Sequence, residues 1–327
     1  MRPSLPASPR RRLLLPLLAL LLTAASLTSA GASPAFAGPT ARTWTVRVGA
    51  QSSTGAIQTM NFGPGTIRID QGDTIRWVAR SMEIHTVSFI NAKHPDSGYD
   101  PTIAYMNNRT PQHWIGRPGQ FRNSGIMDTM PDGSSPQYRS YALRFTGTGI
   151  FHYVCYVHGG QAMHGTVVVR PAGTAYPTTQ AEYNRRTAAQ DNALIEHGLG
   201  LWDKALGGAT AHHIYIGASD MQAMVMRFMA SNATIAVGDS ITFDMAKNTI
   251  PIPHTVTFGP EPAGPFPVGD PTAFNGTGTL SSGILLPPGF GPPGSSTYTV
   301  KFTQAGTFHY ICMLHDMMGM TGTITVQ

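Results

Sequence analysis

The chain carries Cys155, His158 and Met163 in the stretch Phe151-His152-Tyr153-Val154-Cys155-Tyr156-Val157-His158-Gly159-Gly160-Gln161-Ala162-Met163. The pattern returns as Phe308-His309-Tyr310-Ile311-Cys312-Met313-Leu314-His315-Asp316-Met317-Met318-Gly319-Met320. In both copies a His follows the Cys by three residues and a Met follows that His by five. A thiolate, an imidazole and a thioether, delivered by a strand end and the loop after it, are three of the four groups of a mononuclear blue-copper site. The fourth is a His from an earlier strand. It is offered by Ile84-His85-Thr86-Val87-Ser88-Phe89 and again, in the same register, by Pro253-His254-Thr255-Val256-Thr257-Phe258.

Each half thus holds a full set: His85, Cys155, His158 and Met163, then His254, Cys312, His315 and Met320. On a strand, Cys155 and Tyr153 face one way and Val154 and His152 the other. With the Cys turned inward, the loop after it folds back so that His and Met reach the same point. Thiolate and two imidazoles as strong ligands, with a thioether on the axis, suit both Cu(II) and Cu(I). Zinc also takes Cys and His, but a single Cys and an axial Met disfavour it.

On these motifs both halves resemble the cupredoxin family, the plastocyanin and azurin type of electron-transfer protein. The resemblance implies two type 1 copper ions per chain. It also implies that His158 and His315 sit at the surface in apolar patches, with Met317 and Met318 around one and Gly159, Gly160 and Ala162 around the other, where redox partner proteins dock.

The elements that must position these ligands are strands. Thr43-Trp44-Thr45-Val46-Arg47-Val48 alternates as a half-buried strand does. Phe62 to Trp77 reads as two short strands about Gln71-Gly72-Asp73, and Phe228 to Phe243, with Gly238-Asp239 at its turn, is the matching segment. Asn91 to Arg139 is too long and polar for a hairpin connection and is expected to drape over one end of a sandwich. Ser124-Gly125-Ile126-Met127 answers to Ser282-Gly283-Ile284-Leu285, and Tyr141 to Phe145 answers to Tyr298 to Phe302. Gly165 to Val169 and Gly322 to Val326 close the two copies. Short strands at regular spacing predict a mainly β chain of two antiparallel Greek-key sandwiches, residues 38–172 and 209–327. Between them, residues 173–208 hold the capping box Thr179-Gln180-Ala181-Glu182 and apolar residues at helical spacing. A helical linker is expected from about Ala181 to Leu206, broken near Gly198 or Gly200.

The 327 residues suffice for two cores. Residues 1–37 combine Arg10-Arg11-Arg12, an apolar run from Leu13 to Leu22 interrupted by Pro16, and Ala35-Phe36-Ala37. That is the form of a cleaved export signal, too short for a membrane span, and it leaves the general and twin-arginine routes both open. The mature chain is expected in a periplasmic or extracellular setting. The leader holds four Arg and no acid, so the formal charge of +5 falls to 18 basic against 17 acidic residues beyond it, a poor balance for nucleic acid or anionic membrane. Residues 38–172 carry 12 basic and 7 acidic side chains, residues 209–327 only 3 and 6. Opposite signs favour the halves docking on each other, or head to tail between chains as a homo-oligomer. The two Cys sit one per motif, so they are not expected to pair with each other despite export.

Met221, Met224, Met226 and Met229 could offer thioethers to Cu(I), which makes copper storage or delivery the alternative function; core filling is the ordinary role of such clusters. His152, His309, His212 and His213 are expected to be packed or solvated strand residues. Multicopper oxidases and nitrite reductases are the third reading, through an intersubunit centre. They place a His directly beside the site Cys, whereas here the neighbours are Val154, Tyr156, Ile311 and Met313, and Ile90 stands where nitrite reductases have a second His. No enzyme is expected.

Overall fold

Trp44, Val46 and Val48 of Thr43–Val48 are buried and the residues between them are not, the alternation expected of a strand with one face on a core. The computed structural model describes residues 40–131 and 138–327; the export signal expected over residues 1–37 lies outside the described residues. The first copy of the repeat builds two five-stranded sheets. One runs in the order Phe62–Gly63, Thr43–Val48, Thr74–Ala79, Ser140–Phe145, Trp114–Ile115, and the other Thr66–Asp70, His164–Arg170, Gly149–Val154, Ser88–Phe89, Arg122–Asn123. In the second copy Thr297–Lys301, Ser240–Asp244, His213–Ser219 and Ala223–Met229 form one sheet. Asn232–Ile235, Thr321–Val326, Gly306–Ile311, Thr257–Phe258, Leu280–Ser282 and Pro267–Val268 form the other.

The sheets are mixed, not purely antiparallel as expected. Thr43–Val48 runs parallel to Thr74–Ala79, Thr66–Asp70 to His164–Arg170, His213–Ser219 to Ser240–Asp244, and Asn232–Ile235 to Thr321–Val326. The turns explain it. Gln71-Gly72-Asp73 carries the chain from one sheet to the facing one, so the strands on either side of it never pair with each other, and Gly238-Asp239 does the same in the second copy.

Between each pair of sheets lies an aromatic core, and the two cores match. Phe62 meets Tyr153 with ring centroids 4.7 Å apart, and Phe228 meets Tyr310 at the same 4.7 Å. Trp77 and Phe243 occupy equivalent places against Tyr153 and Tyr310. Edge-to-face and tilted rings of this kind add to the area that they bury.

The halves are joined by more than a linker. Ile57–Thr59, from the first copy, adds a fifth strand to the sheet of the second by pairing antiparallel with Ala223–Val225. Met226 N–H donates to the Ala56 carbonyl at 2.8 Å, and the Arg227 guanidinium to the Thr54 carbonyl at 2.9 Å. These contacts combine backbone pairing, a guanidinium on a carbonyl and apolar packing. Ile57 sits in a shared cluster with Ala218, Ala223, Val225 and Met229.

Over this cluster lies α1, Gln180–Leu206. The Thr179 hydroxyl accepts from the Glu182 amide and caps it. Toward the first copy, the Tyr183 hydroxyl accepts from the Arg68 amide at 3.0 Å, and Asp191 takes Asn61 Nδ2 at 2.9 Å and Arg47 Nη1 at 3.0 Å. Toward the second, Leu201, Trp202 and Ala205 pack on the shared cluster. The helix is continuous where a break near Gly198 or Gly200 was expected. Gly198 is buried at the contact, where an added Cβ would stand 2.4 Å from Ile57 Cγ2, so this glycine permits close approach without ending the helix.

The two glycines are therefore expected to respond oppositely. Gly198→Ala should lower stability by about 1–3 kcal/mol through overpacking. Gly200→Ala, with nothing within 4 Å of the new methyl, should raise it by about 0.5–1 kcal/mol. Denaturant unfolding of the two variants checks both signs.

Candidate metal centres

Cys155 follows the strand Gly149–Val154, and the loop after it is held closed by its own backbone. Gly159 N–H donates to the Cys155 carbonyl, Met163 N–H to the Gly159 carbonyl, and Cys155 N–H to the Met163 carbonyl at 3.0 Å. The second loop closes in the same way, with Cys312 N–H on the Met320 carbonyl at 3.0 Å. His85 is brought in by a bridge to Met127 and His254 by one to Leu285. The Thr after each of these His residues completes the clamp. Thr86 N–H points at Cys155 Sγ at 3.3 Å while its hydroxyl accepts from Tyr156 N–H, and Thr255 repeats this on Cys312 Sγ at 3.4 Å and Met313 N–H.

The outcome is two convergent donor sets. Cys155 Sγ lies 3.9 Å from His85 Nδ1 and 3.4 Å from His158 Nδ1. Cys312 Sγ lies 3.7 Å from His254 Nδ1 and 3.4 Å from His315 Nδ1, and the two Nδ1 atoms are 3.0 Å apart. Within each set the three ligand atoms fall within 4.8 Å of one another. Met163 and Met320 are fully buried at the loop ends beside them. Among the described residues these are the two clusters of three or more metal-binding side chains, and both Cys are free thiols.

Burial dominates the electrostatics. It brings His158 and His315 down to about 4, and holds His85 and His254 well below the ordinary imidazole range with help from the neighbouring His. It pushes Cys155 and Cys312 up to about 11, the Thr86 and Thr255 amides opposing. Neutral imidazoles are ready donors, whereas a metal has to displace the thiol proton. One sulfur, two imidazole nitrogens aimed at a common point, and a buried thioether at the loop end fit copper better than any other common ion.

Outer contacts distinguish the sites. Ser81 Oγ lies 2.9 Å from His85 Nε2, which leaves Nδ1 of that ring to face the thiol. Among the described residues no hydroxyl is hydrogen-bonded to the His254 ring, whose Nε2 borders Gly217. Glycine is required next to both rings. A Cβ at Gly49 would stand 2.6 Å from His85 Nε2 and one at Gly217 2.8 Å from His254 Nε2, with φ of +64° and +67°.

His158 and His315 were expected at an open surface; instead their side chains are only 4% and 8% exposed. Both residues line one chamber of about 580 Å³ between the halves; of the residues expected around them Met318 lines it, whereas Gly159, Gly160, Ala162 and Met317 do not. The long Asn91–Arg139 segment contributes Tyr99, Pro101 and Met130 to its wall. Between the rings sits Glu83, buried, with Oε1 3.8 Å from His158 Nε2 and Oε2 4.0 Å from His315 Nε2. Burial first, then Asp128, raises its carboxyl to about 7, the Ile84 amide opposing.

Sequence reasoning gave no role to Glu83, Ser81, Gly49 or Gly217. The signal for Glu83 was a break in the repeat: His85 answers to His254, so Glu83 answers to Ile252. Met224, Met226 and Met229 are core side chains and Met221 is exposed. His152 and His309 lie within hydrogen-bond reach of Thr166 and Thr323 on the outer face, and His213 meets Asp244. Met317 is half-exposed and Met318 buried.

A profile described as copper binding proteins, plastocyanin/azurin family, matches residues 49–170 and 216–327. A chloroplastic plastocyanin of Tetradesmus obliquus is 30% identical over 159 residues, which cover 49% of this chain and 94% of that protein. A plastocyanin of Scenedesmus fuscus is 32% identical over 100 residues, 31% of this chain and 86% of the other. The oxidised plastocyanin of Dryopteris crassirhizoma aligns over 35% of this chain and 99% of its own, with 16% identity and a TM-score of 0.24.

Because Glu83 titrates at about 7 in the fold, against 4.5 for a free carboxyl, the folded chain binds a proton between those values that the unfolded chain has released. Its ionisation at higher pH costs stability. Glu83→Gln in the metal-free protein is expected to be more stable than wild type above pH 7, by on the order of 1–3 kcal/mol, with the advantage fading toward pH 4.5. Urea midpoints at pH 5 and pH 8 read the difference. An equal gap at both would mean that the carboxyl does not titrate in this window.

Proposed function

Because the chain belongs to the plastocyanin/azurin family of copper-binding proteins, we propose that it is an exported electron-transfer protein with one type 1 copper site in each half. His85, Cys155, His158 and Met163 would hold the first copper, and His254, Cys312, His315 and Met320 the second. The observation that carries the reading is the twofold convergence of one thiol and two imidazoles within 4.8 Å. Copper held there supplies reversible one-electron chemistry. The protein supplies a donor set fixed in place by backbone hydrogen bonds, which keeps the rearrangement on changing oxidation state small. No His stands directly beside either Cys, the neighbours being Val154, Tyr156, Ile311 and Met313, which supports carriage over turnover of a substrate.

The arrangement of the halves gives the two sites a common face. His158 and His315 each reach to within 4.0 Å of the same Glu83 carboxylate, so copper held in both sets would be linked through these three side chains. A redox partner protein docks over the chamber mouth, where Ile284 and Phe290 are about half-exposed, and the ligand imidazoles lie beneath it. Export is supported by the leader motif, and no helix among the described residues is long and apolar enough to cross a membrane.

Copper-loaded protein is expected to hold two ions per chain and to show an intense thiolate-to-copper visible band with narrow copper hyperfine splitting. Cys155→Ser and Cys312→Ser should each remove one ion and about half of the band, and the double variant all of it. Retention of both ions by either single variant would sink the ligand assignment. A redox titration is expected to resolve two steps, because a serine hydroxyl lies at hydrogen-bond distance from His85 and, among the described residues, none does from His254. Ser81→Ala should shift one step and leave the other in place.

A further inference from the structure

We propose that the chamber between the halves is a binding site for a small neutral phenol-type ligand, its hydroxyl on Glu83 and its ring on the apolar wall. The inference rests on the chamber and Glu83, not on copper. A volume of about 580 Å³ lies within the span of ordinary small-molecule pockets. The wall is mostly apolar, with Ile252, Pro253, Leu286, Phe290, Leu314 and Met318 among its residues.

The polar groups that reach this space are few. Tyr99 donates its hydroxyl to Asn107 Oδ1 at 2.6 Å and is satisfied. Glu83 is only 8% exposed, and its Oε2 accepts no hydrogen bond from the described residues. His158 and His315 present Nε2 toward it at 3.8 and 4.0 Å, beyond hydrogen-bond reach. A buried acceptor without a donor is costly, and a ligand that brings the donor recovers that cost.

The chemistry of the floor selects the ligand's polar group. With Nδ1 of each ring turned to its thiol, Nε2 is the nitrogen that faces the chamber, so the floor combines one acceptor with two ring nitrogens. A hydroxyl donates to the carboxylate and accepts from an imidazole N–H with the same atom. An ammonium can only donate, and it would carry a full charge into apolar walls. The walls in turn favour a flat apolar body, which packs on Phe290, Leu286 and Met318.

The test is calorimetric titration of the copper-loaded mature chain with phenol and 2-naphthol, and with toluene as the ring without a hydroxyl. Saturable binding of one phenol or naphthol per chain is expected, with toluene weaker by about tenfold or more. Glu83→Leu, which removes the acceptor, should bring phenol down to the toluene level. Phe290→Ala, at a half-exposed wall position outside both core clusters, should weaken both and keeps the test decisive if the Leu variant does not fold. No saturable binding, equal binding of phenol and toluene, or phenol binding indifferent to both substitutions overturns the proposal. Copper counted in the same samples separates this failure from failure of the copper reading: two ions with no phenol binding sinks the chamber alone.

Discussion

The three-residue pairing of Ile57–Thr59 with Ala223–Val225 sets the arrangement of everything functional in the chain. A sheet that continues from one half into the other fixes distance and rotation together, because a strand can join a ladder in only a few registers. Once the register is chosen, the ends of the two sandwiches that carry the ligand loops face each other. The helix Gln180–Leu206 then lies over the seam and ties Asn61 and Arg47 of one half to the cluster under Ala205 in the other. The halves behave as one body with an internal site face, not as beads on a string.

Much of this was legible in the sequence, and the boundary is physical. The donor sets were readable because they are local: Cys155 to Met163 and Cys312 to Met320 each span a single loop, and the repeat fixes which earlier His belongs to which. Strand positions were readable from alternation. The parallel pairings were not, because which sheet a strand joins depends on whether its turn folds back or crosses over, and Gln71-Gly72-Asp73 looks the same either way. The burial of His158 and His315 was also hidden. It follows from Ile57–Thr59, three residues with no pattern of their own, joining a sheet more than 160 positions away. A family resemblance pointed to the surface because it treats each half by itself.

Departures from the repeat proved more informative than the repeat. Where both copies agree, the residues serve what each half does alone: Thr86 and Thr255 on the thiols, Gly49 and Gly217 against the rings. Where they differ, the residue serves the pair. Glu83 has Ile252 as its counterpart, and the two meet at the same chamber, so a single carboxyl is placed between the two imidazole edges. A second acid in the place of Ile252 would put like charges in a confined apolar space.

The depth at which Cys155 and Cys312 are buried has a consequence for the chain before any metal reaches it. Both sulfurs are fully shielded, and burial pushes them up to about 11, so near neutral pH they are protonated and poor nucleophiles. They also belong to separate cores, which denies them one another. In oxidising surroundings, where an exposed thiol is soon lost to sulfenic acid or a mixed disulfide, this polypeptide can wait for its ion without spoiling.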